Sequence, residues 1–593
     1  MALCMSKCCF LLLLIISYCL LQWCNTVTCD CVAPEEPIKC SSGNSNCIVT
    51  NSQGSFPDRS ICRAADAVYP TTEAELISAV SAATITKRKM KVATRYSHSV
   101  PKLVCPDGED SLIISTKKLS EVIKVDKDAK TITVQSGVTL KQLIKEAAKA
   151  KLVLPHTPYW WGLTVGGMLG TGAHGSSWWL KGSAVHDYVV DLRIISPGES
   201  KDGYYKNRTL KEGDADLDAA KVSLGVLGVI SQVTFKLESM FKRSITFEAM
   251  DDDNGLGEEA LNFGKKHEFG DITWYPSQHQ VIYRIDDRVP STTPGNGVNN
   301  YFPFRSTAAS VLVANRKIEE LAEAINYADL KCFGGNAITA ALEAIAFGLT
   351  NNGNFFTGYP VIGYQNQLQS AGGCLTPGSC LLQSYCPWDP RTNGQYFFIN
   401  GFSIGISKVK NFIQDIQKLV ELEPKSLCGV ELYNGILMRY VSASTAYLGK
   451  DEDGIDFDIV YYRSKDPLAP RMFEDILEEI EQMAVFKYNG MPHWGKNRNI
   501  AFEGAMKKYK DGEKFLDVKK RYDPLSLFSN EWTDQILGLK EGLSIYKEGC
   551  ALEGLCICSE DIHCAPNKGY LCRQGRVYKE AKVCRKMKST QEI

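Results

Sequence analysis

A glycine-rich run from Pro155 to Arg193 carries the residues best suited to binding chemistry. It reads PHTPYWWGLTVGGMLGTGAHGSSWWLKGSAVHDYVVDLR and holds two glycine clusters, Gly166-Gly167 and Gly170 to Gly175, flanked by four tryptophans. Glycine lets the backbone approach a ligand closely, and consecutive N–H groups can line a concavity that accepts an anion. The run therefore predicts a loop that contacts a phosphate-bearing cofactor, with aromatic side chains packed around it.

Two alternatives compete with this interpretation. Gly170 to Gly175 formally matches G-x-G-x-x-G, with Asp191 downstream, but the dinucleotide fingerprint needs a strand before the glycines and a helix that opens at them. The residues that follow, 176–183, lack an amphipathic helical pattern, and strand character appears later, at Tyr188 to Ile195. The second alternative is a surface turn without a ligand, because turns are commonly rich in glycine for steric reasons.

Thr164 to Gly175, followed by Val185 to Val189, resembles the second FAD-contacting segment of the vanillyl-alcohol-oxidase-type flavoproteins. Within that group the chain is most similar to the sugar-1,4-lactone oxidases, and to the plant L-gulonolactone oxidases in particular. The resemblance covers residues 55 to 540. It implies an FAD cofactor and these cofactor-binding residues: Arg95, Ser97, His98, Ser99, Thr164, Gly166, Gly167, Gly170, Thr171, Gly172, His174, Gly175, Gly228, Val229 and Ile230.

The loop from Arg95 to Ser99 is the first of these contacts. A strand end that becomes a short polar loop can meet a pyrophosphate with backbone N–H groups and an arginine. In the family the matching loop often carries a histidine bonded covalently to the flavin, so His98 is the implied attachment point. A histidine that only forms hydrogen bonds is the alternative, and Ala93 to Ser97 depart from the glycine-rich form common in relatives.

Ser223 to Leu237 resembles the family segment in which small residues let a short helix lie against the flavin. Gly225 and Gly228 are equally compatible with a purely packing role.

Pro492 to Lys496, PHWGK, resembles the His-Trp-small-Lys signature of the lactone oxidases. A lysine held near the flavin can stabilise the negative charge that develops on the ring as hydride arrives. His493 can orient or deprotonate the substrate hydroxyl. A tryptophan-centred turn with a solvated lysine is the alternative.

Glu431 to Tyr440 is the third candidate segment. As a strand pair it would place Leu437 and Arg439 on one face. Relatives often have Glu-x-Arg there, with both side chains facing the substrate, but this chain has Leu437-Met438-Arg439. The predicted catalytic residues are therefore Lys496, His493 and Arg439. Either Glu431 or another acid takes the place of the missing carboxylate, or the choice of substrate differs. No metal ligand is predicted.

The elements that must position these residues alternate between strands and short helices, which predicts an α+β fold. Capping signals predict helices that begin after Thr72 and Thr139. An apolar repeat predicts a helix from Phe473 to Met483. Four strands are predicted at 90–94, 111–115, 121–125 and 131–135, and two more at 246–250 and 281–285.

Composition narrows the function class. The chain has 593 residues and a formal net charge of −1, from 67 basic and 68 acidic residues. This balance argues against a nucleic-acid or polyanion partner. The predicted partners are a small sugar lactone and molecular oxygen or another electron acceptor.

The N-terminus predicts export. Lys7 precedes an apolar run, Phe10 to Leu21, which is too short to span a bilayer and has the charge order of a signal peptide; an uncleaved anchor is the alternative. Of 22 cysteines, five lie in the first 24 residues and the other 17 imply disulfides in the secretory pathway. Zinc is disfavoured because Cys29/Cys31 and Cys556/Cys558 have single-residue gaps. Asn207 lies in a glycosylation sequon.

The predicted architecture is an α+β fold with a two-part PCMH-type FAD-binding domain, an α+β substrate (cap) domain and a cysteine-rich C-terminal tail. Its predicted boundaries are a signal peptide at 1–28, a cysteine-rich lead-in at 29–55, the FAD-binding domain at 56–240, the sugar-lactone oxidase substrate domain at 241–540 and the tail at 541–593. The resemblance implies FAD-dependent oxidation of L-gulono-1,4-lactone at C2 to give ascorbate. Another polyol, aldonolactone or oligosaccharide as substrate, and a non-catalytic carbohydrate-binding protein, are the alternatives. The expected location is secreted or extracellular, with cell wall and vacuole left open.

Overall fold

The computed structural model describes residues 35–50, 59–95, 101–369, 384–386 and 397–587. Several predictions concern residues outside this set: the signal peptide, Cys29, Cys31, Ser97, His98 and Ser99. In the described part of the chain, no helix is both long enough and apolar enough to cross a membrane.

The first sheet has the strand order β1-β2-β3-β5-β4. Its strands are β1 Ile38–Ser42, β2 Ser45–Val49, β3 Cys62–Val68, β4 Met90–Ala93 and β5 Leu112–Ser115. The helix α1, Glu73–Ile85, begins as predicted, because the Thr72 hydroxyl accepts the Glu75 N–H at 3.2 Å. The Glu75 carboxylate reaches back to the Thr71 N–H at 2.7 Å rather than to Thr72.

The second sheet has the order β10-β9-β11-β7-β6. Its elements and their short connections are β6 Val122–Asp126, β7 Thr131–Gln135, α2 Leu140–Lys149, β8 Leu152–Val153, α3 Val165–Gly170, β9 Val189–Pro197, β10 Tyr205–Lys211, α4 Ala215–Ala220, β11 Val229–Lys236 and β12 Glu238–Ser239. Residues 223–228 form turns and not the short helix expected before β11, since Gly225 and Gly228 both have positive φ. The helix α3 precedes Gly170–Gly175 instead of opening at it, which excludes the dinucleotide fingerprint there.

The third sheet is antiparallel and has the order β19-β13-β15-β14-β22-β23-β21-β24 among the described residues. The elements from β13 to the end of this sheet are β13 Lys242–Met250, α5 Leu256–Lys266, β14 Asp271–Tyr275, β15 Gln280–Val289, β16 Val298–Asn299, β17 Thr307–Ala308, α6 Ala309–Ala324, α7 Ala328–Ala344, β18 Leu349–Thr350, β19 Val361–Tyr364, α8 Gln365–Leu368, β20 Ser384–Tyr385, β21 Phe397–Gly405, α9 Ile406–Leu422, α10 Cys428–Glu431, β22 Ile436–Val441, β23 Gly454–Tyr462, α11 Glu474–Gln482 and β24 Met491–Pro492.

The two faces of this third sheet differ in chemistry. Residues such as Ile272, Met438 and Phe457 point into a core shared with α5, α9 and α11. Because side chains alternate along a strand, the residues between them point to the other face, which contacts the FAD-binding half. Those residues include Arg439 and Asp456, and both are buried.

After the third sheet, the chain returns to the FAD-binding half. The helices α12, Gly512–Tyr522, and α13, Glu531–Ile536, pack Phe515 and Trp532 into the same core as Leu143. The Met90 N–H donates to the Leu527 carbonyl at 2.8 Å. Residues far along the chain therefore complete the fold of the N-terminal half.

The tail forms the predicted disulfide module around β25 Tyr570–Gln574 and β26 Lys582–Lys586. Its disulfides are Cys550–Cys556, Cys558–Cys572 and Cys564–Cys584. These bonds use all six tail thiols, so none of them is available to a metal. The remaining bonds between described cysteines are Cys40–Cys47, Cys62–Cys105 and Cys332–Cys428.

The tail covers the acidic side of α11. Asp475 pairs with Arg576 at 3.0 Å and with Arg585 at 2.8 Å, and Glu478 accepts the Cys584 N–H at 2.6 Å. The helix is consequently buried on its polar side as well as on its predicted apolar side. The tail also contacts the segment that follows Lys496, since the Gly554 carbonyl accepts the Ile500 N–H at 3.3 Å.

Candidate active site

A cleft of about 980 Å³ separates the first two sheets. Seven of the predicted cofactor-binding residues line it: Thr164, Gly166, Gly167, Gly170, Thr171, Gly228 and Ile230. Residues that sequence reasoning missed complete the wall: Val92, Thr94, Leu103, Val104, Thr116, Ser136, Trp160, Gly162, Leu163, Met168, Ala173, Ser223, Leu224 and Gly225. Those between 160 and 173 and between 223 and 225 lie in segments that the sequence had already indicated, whereas those from 92 to 136 are small or apolar residues of four other segments that no local pattern marked.

Glycine is required at the floor of this cleft. Gly228 has φ +129°, and a Cβ there would lie 2.4 Å from the Ile195 carbonyl oxygen, which no side chain can accommodate. Gly170 differs, because a Cβ at that position would meet nothing within 4 Å and would project into the cleft. The space beside Gly170 is thus available to a ligand.

The cleft fits the FAD that the resemblance implies. The Ser136 hydroxyl, buried in its wall, has no hydrogen-bond partner among the described residues and could bind a polar group of the cofactor. The N–H groups of Val165, Gly166, Gly167 and Met168, however, are all bonded within the protein. Those four N–H groups are therefore not free to bind a cofactor, whereas the Ser136 hydroxyl is.

The other predicted cofactor-binding residues lie elsewhere. Gly172 and His174 line a second cavity of about 360 Å³, between the glycine run and His493. Gly175 packs against the Thr157 backbone, and Val229 is buried in the core. Arg95 is half-buried at the end of β4, and Ser97, His98 and Ser99 lie outside the described residues.

The three predicted catalytic residues come together on the buried polar face of the third sheet. Arg439 on β22 lies opposite Asp271 on β14 and Asp456 on β23. Its guanidinium contacts the Asp458 carboxylate and lies 3.6 Å from Asp456, and it also donates to the His174 carbonyl at 3.0 Å. Asp458 in turn contacts the Lys496 ammonium group.

A tight turn after β24 holds Lys496 and His493. The His493 N–H donates to the Gly401 carbonyl at 2.9 Å, and the Lys496 N–H donates to the His493 carbonyl at 3.1 Å. The Trp494 indole donates to the Leu448 carbonyl at 3.1 Å and stacks on Tyr509. Because the turn is anchored on both sides, its lysine projects from a rigid base.

The protonation states around this turn follow from burial and charge. Burial lowers the pKa of His493 well below its usual value, and the charge of Lys496 acts in the same direction. The neutral ring accepts the Gly495 N–H at Nδ1, at 3.0 Å, so its proton resides on Nε2. His493 is therefore arranged to donate a hydrogen bond, which favours the orienting role over that of a base.

His174 forms a buried pair with Asp456, at 3.1 Å from Nε2 to the carboxylate. Burial and then the charge of Arg439 lower the pKa of His174. Burial alone would raise the pKa of Asp456, but contact with His174 and the charges of Lys450 and Arg439 hold it well below its ordinary value. Asp456 is therefore ionised, and the His174 ring lies 5.5 Å from the His493 ring.

Tyr159 extends the polar face toward β15. Burial and the nearby Asp271 raise the pKa of Tyr159, so its hydroxyl is protonated and donates to Asp271 at 2.6 Å. Asp271 also pairs with Arg284 at 2.6 Å. The Tyr159 ring lies 5.7 Å from the Arg439 guanidinium, which places an aromatic residue of the glycine-rich run beside the predicted substrate arginine.

Glu431 does not supply the missing carboxylate. It ends the short helix α10, and the strand begins only at Ile436, so the predicted strand over 431–435 is wrong. Its carboxylate accepts the Ser277 N–H at 2.6 Å and a Gln278 amide hydrogen bond at 3.1 Å. These contacts lie before the start of β22, away from Arg439. The carboxylates beside Arg439 are instead Asp271, Asp456 and Asp458, on the neighbouring strands.

Three family models match the chain. The FAD binding domain covers residues 64–200, D-arabinono-1,4-lactone oxidase covers 394–536, and the C-terminal domain of L-gulonolactone oxidase 2-like proteins covers 547–586. The cysteine-rich tail is thus a domain shared with other proteins, which its sequence alone did not reveal.

Curated relatives match over most of their length. L-gulonolactone oxidase 5 of Arabidopsis thaliana is 59% identical over 581 residues, which is 98% of each chain. L-gulonolactone oxidase 3 of the same plant is 44% identical and covers 94% of this chain and 95% of its own. The Mus musculus L-gulonolactone oxidase is 23% identical and covers 79% of this chain and 94% of its own.

Among solved structures, a solvent-stable cholesterol oxidase superposes with a TM-score of 0.64 at 14% identity. The match covers 85% of this chain and 100% of that structure. At this identity the likeness concerns the fold alone, and it confirms the predicted architecture of a PCMH-type FAD-binding domain joined to an α+β domain.

Proposed function

Because this chain belongs to the L-gulonolactone oxidase family of FAD-dependent oxidoreductases, we propose that it oxidises L-gulono-1,4-lactone at C2 and that the 2-keto product enolises to ascorbate. The observation that carries this proposal is that Arg439 and Lys496 contact one carboxylate, Asp458, while His493 lines a cavity that shares Thr171 with the cofactor cleft. FAD, when bound, supplies the acceptor for the C2 hydride and later passes the electrons to oxygen or another acceptor.

The protein's own residues would bind and orient the lactone. The Arg439 guanidinium is planar and suits bidentate contact with lactone oxygens. The His493 Nε2–H is available to hold a substrate oxygen, since its other nitrogen already accepts the Gly495 N–H. The Lys496 ammonium would stabilise negative charge that develops on the cofactor during reduction.

The direct test is the flavin spectrum of the purified protein before and after anaerobic addition of L-gulono-1,4-lactone. Bleaching of the oxidised flavin bands, with ascorbate as the product, supports the proposal. D-arabinono-1,4-lactone is the second candidate, because the family model matching residues 394–536 carries that name. A panel of lactones and polyols would identify the substrate, and a flavin that none of them reduces would contradict the proposal.

We also propose that the cofactor is bonded covalently to His98 and that the mature protein is secreted. The sequence position of His98, shortly after β4, supports the first point, because Val92 and Thr94 at the end of that strand line the cleft. The disulfides support the second, because such bonds persist in oxidising compartments. Acid precipitation should leave yellow colour in the wild-type pellet and in the supernatant of His98→Ala. Microscopy of a C-terminal fluorescent fusion tests secretion.

A further inference from the structure

Asp458 is the carboxylate that joins the two cationic candidates of the site. One of its oxygens contacts the Arg439 guanidinium and the other contacts the Lys496 ammonium group. The side chain of Asp458 is 10% exposed, whereas those of Arg439 and Lys496 are 7% and 21% exposed. The three groups form one continuous charged unit of which only the lysine end has substantial exposure.

The strand register places Asp458 where this contact can form. Asp458 on β23 lies directly opposite Leu437 on β22 and opposite Gly401 on β21. Paired residues on one face have Cβ atoms about 5 Å apart, so Asp458 occupies the space between Leu437 and Gly401. Leu437 is two residues from Arg439 and shares its face.

The absence of a side chain at Gly401 makes room for the unit. A Cβ on Gly401 would lie 3.0 Å from the Asp458 carboxylate, 3.0 Å from Lys496 Cδ and 3.3 Å from His493 Cβ. All three site residues therefore converge over this glycine. The arrangement is built from β21, β22, β23 and the turn after β24.

The neighbouring carboxylates on the same face have other hydrogen-bond partners, although Asp456 also lies 3.6 Å from the Arg439 guanidinium. Asp456 contacts His174 at 3.1 Å, and Asp271 contacts Tyr159 and Arg284 at 2.6 Å each. Neither of them contacts Lys496 among the described residues. Asp456 therefore provides a matched comparison: it lies two residues from Asp458, on the same strand and face.

We infer that Asp458 is the positioning residue that holds Lys496 and Arg439 at a fixed separation, and that it does so from the strand opposite Leu437. The Arg439 and Lys496 cations repel each other, and the carboxylate between them offsets that repulsion. Without the carboxylate, the lysine would move away from the guanidinium and toward solvent. The inference rests on the proposed function only in assigning the joined pair to lactone oxidation.

The test compares Asp458→Asn, Asp456→Asn and the double variant Asp458→Asn/Leu437→Glu, all as the FAD-loaded protein. The double variant returns a carboxylate to the same space from the opposite strand. The interaction energy between neighbouring charged residues typically corresponds to a factor of about three to a hundred in rate. Asp458→Asn should slow the limiting rate of anaerobic flavin reduction by about ten- to a hundredfold, and Leu437→Glu should restore at least a third of the loss on a logarithmic scale.

A second readout does not depend on catalysis. Lysine acetylation by a water-soluble reagent, followed by peptide mass spectrometry, reports how freely the Lys496 amine reacts. Its labelling rate should rise severalfold in Asp458→Asn and fall back in the double variant, while Asp456→Asn leaves it near the wild-type value. Lys507, which is exposed, serves as the internal reference.

The outcomes separate the positioning role from the substrate. If L-gulono-1,4-lactone does not reduce the flavin, the substrate proposal fails, whereas the labelling pattern still tests Asp458. Unchanged Lys496 labelling in Asp458→Asn overturns the inference, as does a flavin that is reduced at the wild-type rate by any active lactone. If Asp458→Asn does not fold, recovery of folding and labelling protection in the double variant supports the inference, and failure to recover contradicts it.

Discussion

The cofactor cleft draws much of its wall from one stretch, residues 160–173, whereas the charged face of the third sheet collects Arg439, Asp458 and Lys496 from two strands and a turn. The cleft consists largely of small and apolar groups, and its shape depends on the absence of side chains. The charged face depends on which side chains the strand register brings together. The cleft should consequently respond to changes in volume, and the charged face to changes in charge.

The largest expected effect comes from filling the cleft. In Gly170→Leu the new side chain projects into the open space beside α3, so we expect the FAD content of the purified protein to fall to about a tenth or less. The apoprotein should remain folded, because leucine has a better helix propensity than glycine by about 0.8 kcal/mol. Flavin absorbance per mole of protein and the thermal unfolding of the apoprotein measure both parts.

Gly255→Leu is the control, since Gly255 also meets nothing within 4 Å but precedes α5, outside the cleft. It should bind FAD like the wild type. A Gly170→Leu variant with a full complement of FAD would show that the cofactor binds elsewhere.

Removal of charge from the other region should leave the cofactor in place. A lysine about 4 Å from a developing charge interacts with it by roughly 4 kcal/mol at an effective dielectric of 20. If about half survives desolvation, Lys496→Met loses about thirtyfold in rate. Stopped-flow flavin reduction at saturating lactone should slow by about ten- to a thousandfold, with FAD content and melting temperature nearly unchanged.

Lys507→Met, at an exposed lysine farther along the chain, should have no effect on that rate. If Lys496→Met reduces its flavin as fast as the wild type, Lys496 is a structural residue and its assignment is wrong.

Arg439 lies deeper in the same charged unit, and its loss should act on binding and stability together. Arg439→Met should raise the lactone concentration for half-saturation by about tenfold, because one bidentate contact is lost. It should also destabilise the fold by about 3–5 kcal/mol, since buried carboxylates lose their partner. Denaturant unfolding monitors the second effect, which Lys496→Met should not share.

Arg439→Lys keeps the positive charge but lacks the planar guanidinium. Its stability and its half-saturating lactone concentration should lie between those of the wild type and Arg439→Met. An Arg439→Met protein as stable as the wild type would contradict the buried network seen at Asp456 and Asp458.

The smallest effect concerns a buried lysine beneath the cleft. Lys91 on β4 is fully buried, and its amine has no hydrogen-bond partner among the described residues. Burial lowers its pKa from 10.5 to about 7. Between those pH values the unfolded chain binds more protons than the folded one, so the contribution of Lys91 to the free energy of unfolding rises with pH.

Lys91→Met should therefore raise the melting temperature by a few degrees near pH 6, and the gain should shrink as the pH approaches 10. Thermal unfolding across this pH range measures the difference. A gain that stays constant, or that grows with pH, would show that Lys91 is charged and paired in the folded protein.

Local features were predictable from the sequence. Thr72 and Thr139 cap their helices. Such a cap was predictable because the hydroxyl accepts an N–H from a residue only three positions further along the chain. The strand at Thr131–Gln135 and the apolar side of α11 follow from periodicity in the same way. The glycine run at the cofactor cleft was also recognisable, since its steric requirement resides in consecutive residues.

Contacts between distant segments were not predictable. The apolar repeat of α11 does not reveal that the tail covers the acidic side of that helix through Arg576 and Arg585. Nor does the segment Glu431 to Tyr440 reveal its acidic partner, because Glu431 is nearer in sequence but binds Ser277. Strand pairing places Asp458 beside Arg439, and the spacing of residues in the sequence does not reveal that pairing.

The sequence by itself determined the family, the FAD cofactor, the positions of the glycine run and the PHWGK turn, and the disulfide character of the tail. Each of these depends on residues that act within one short segment. Only the tertiary structure decided which carboxylate neutralises Arg439 and Lys496, which nitrogen of His493 carries the proton, and what α11 packs against. Those choices depend on distances and burial, and both arise only when strands far apart in the chain are placed side by side.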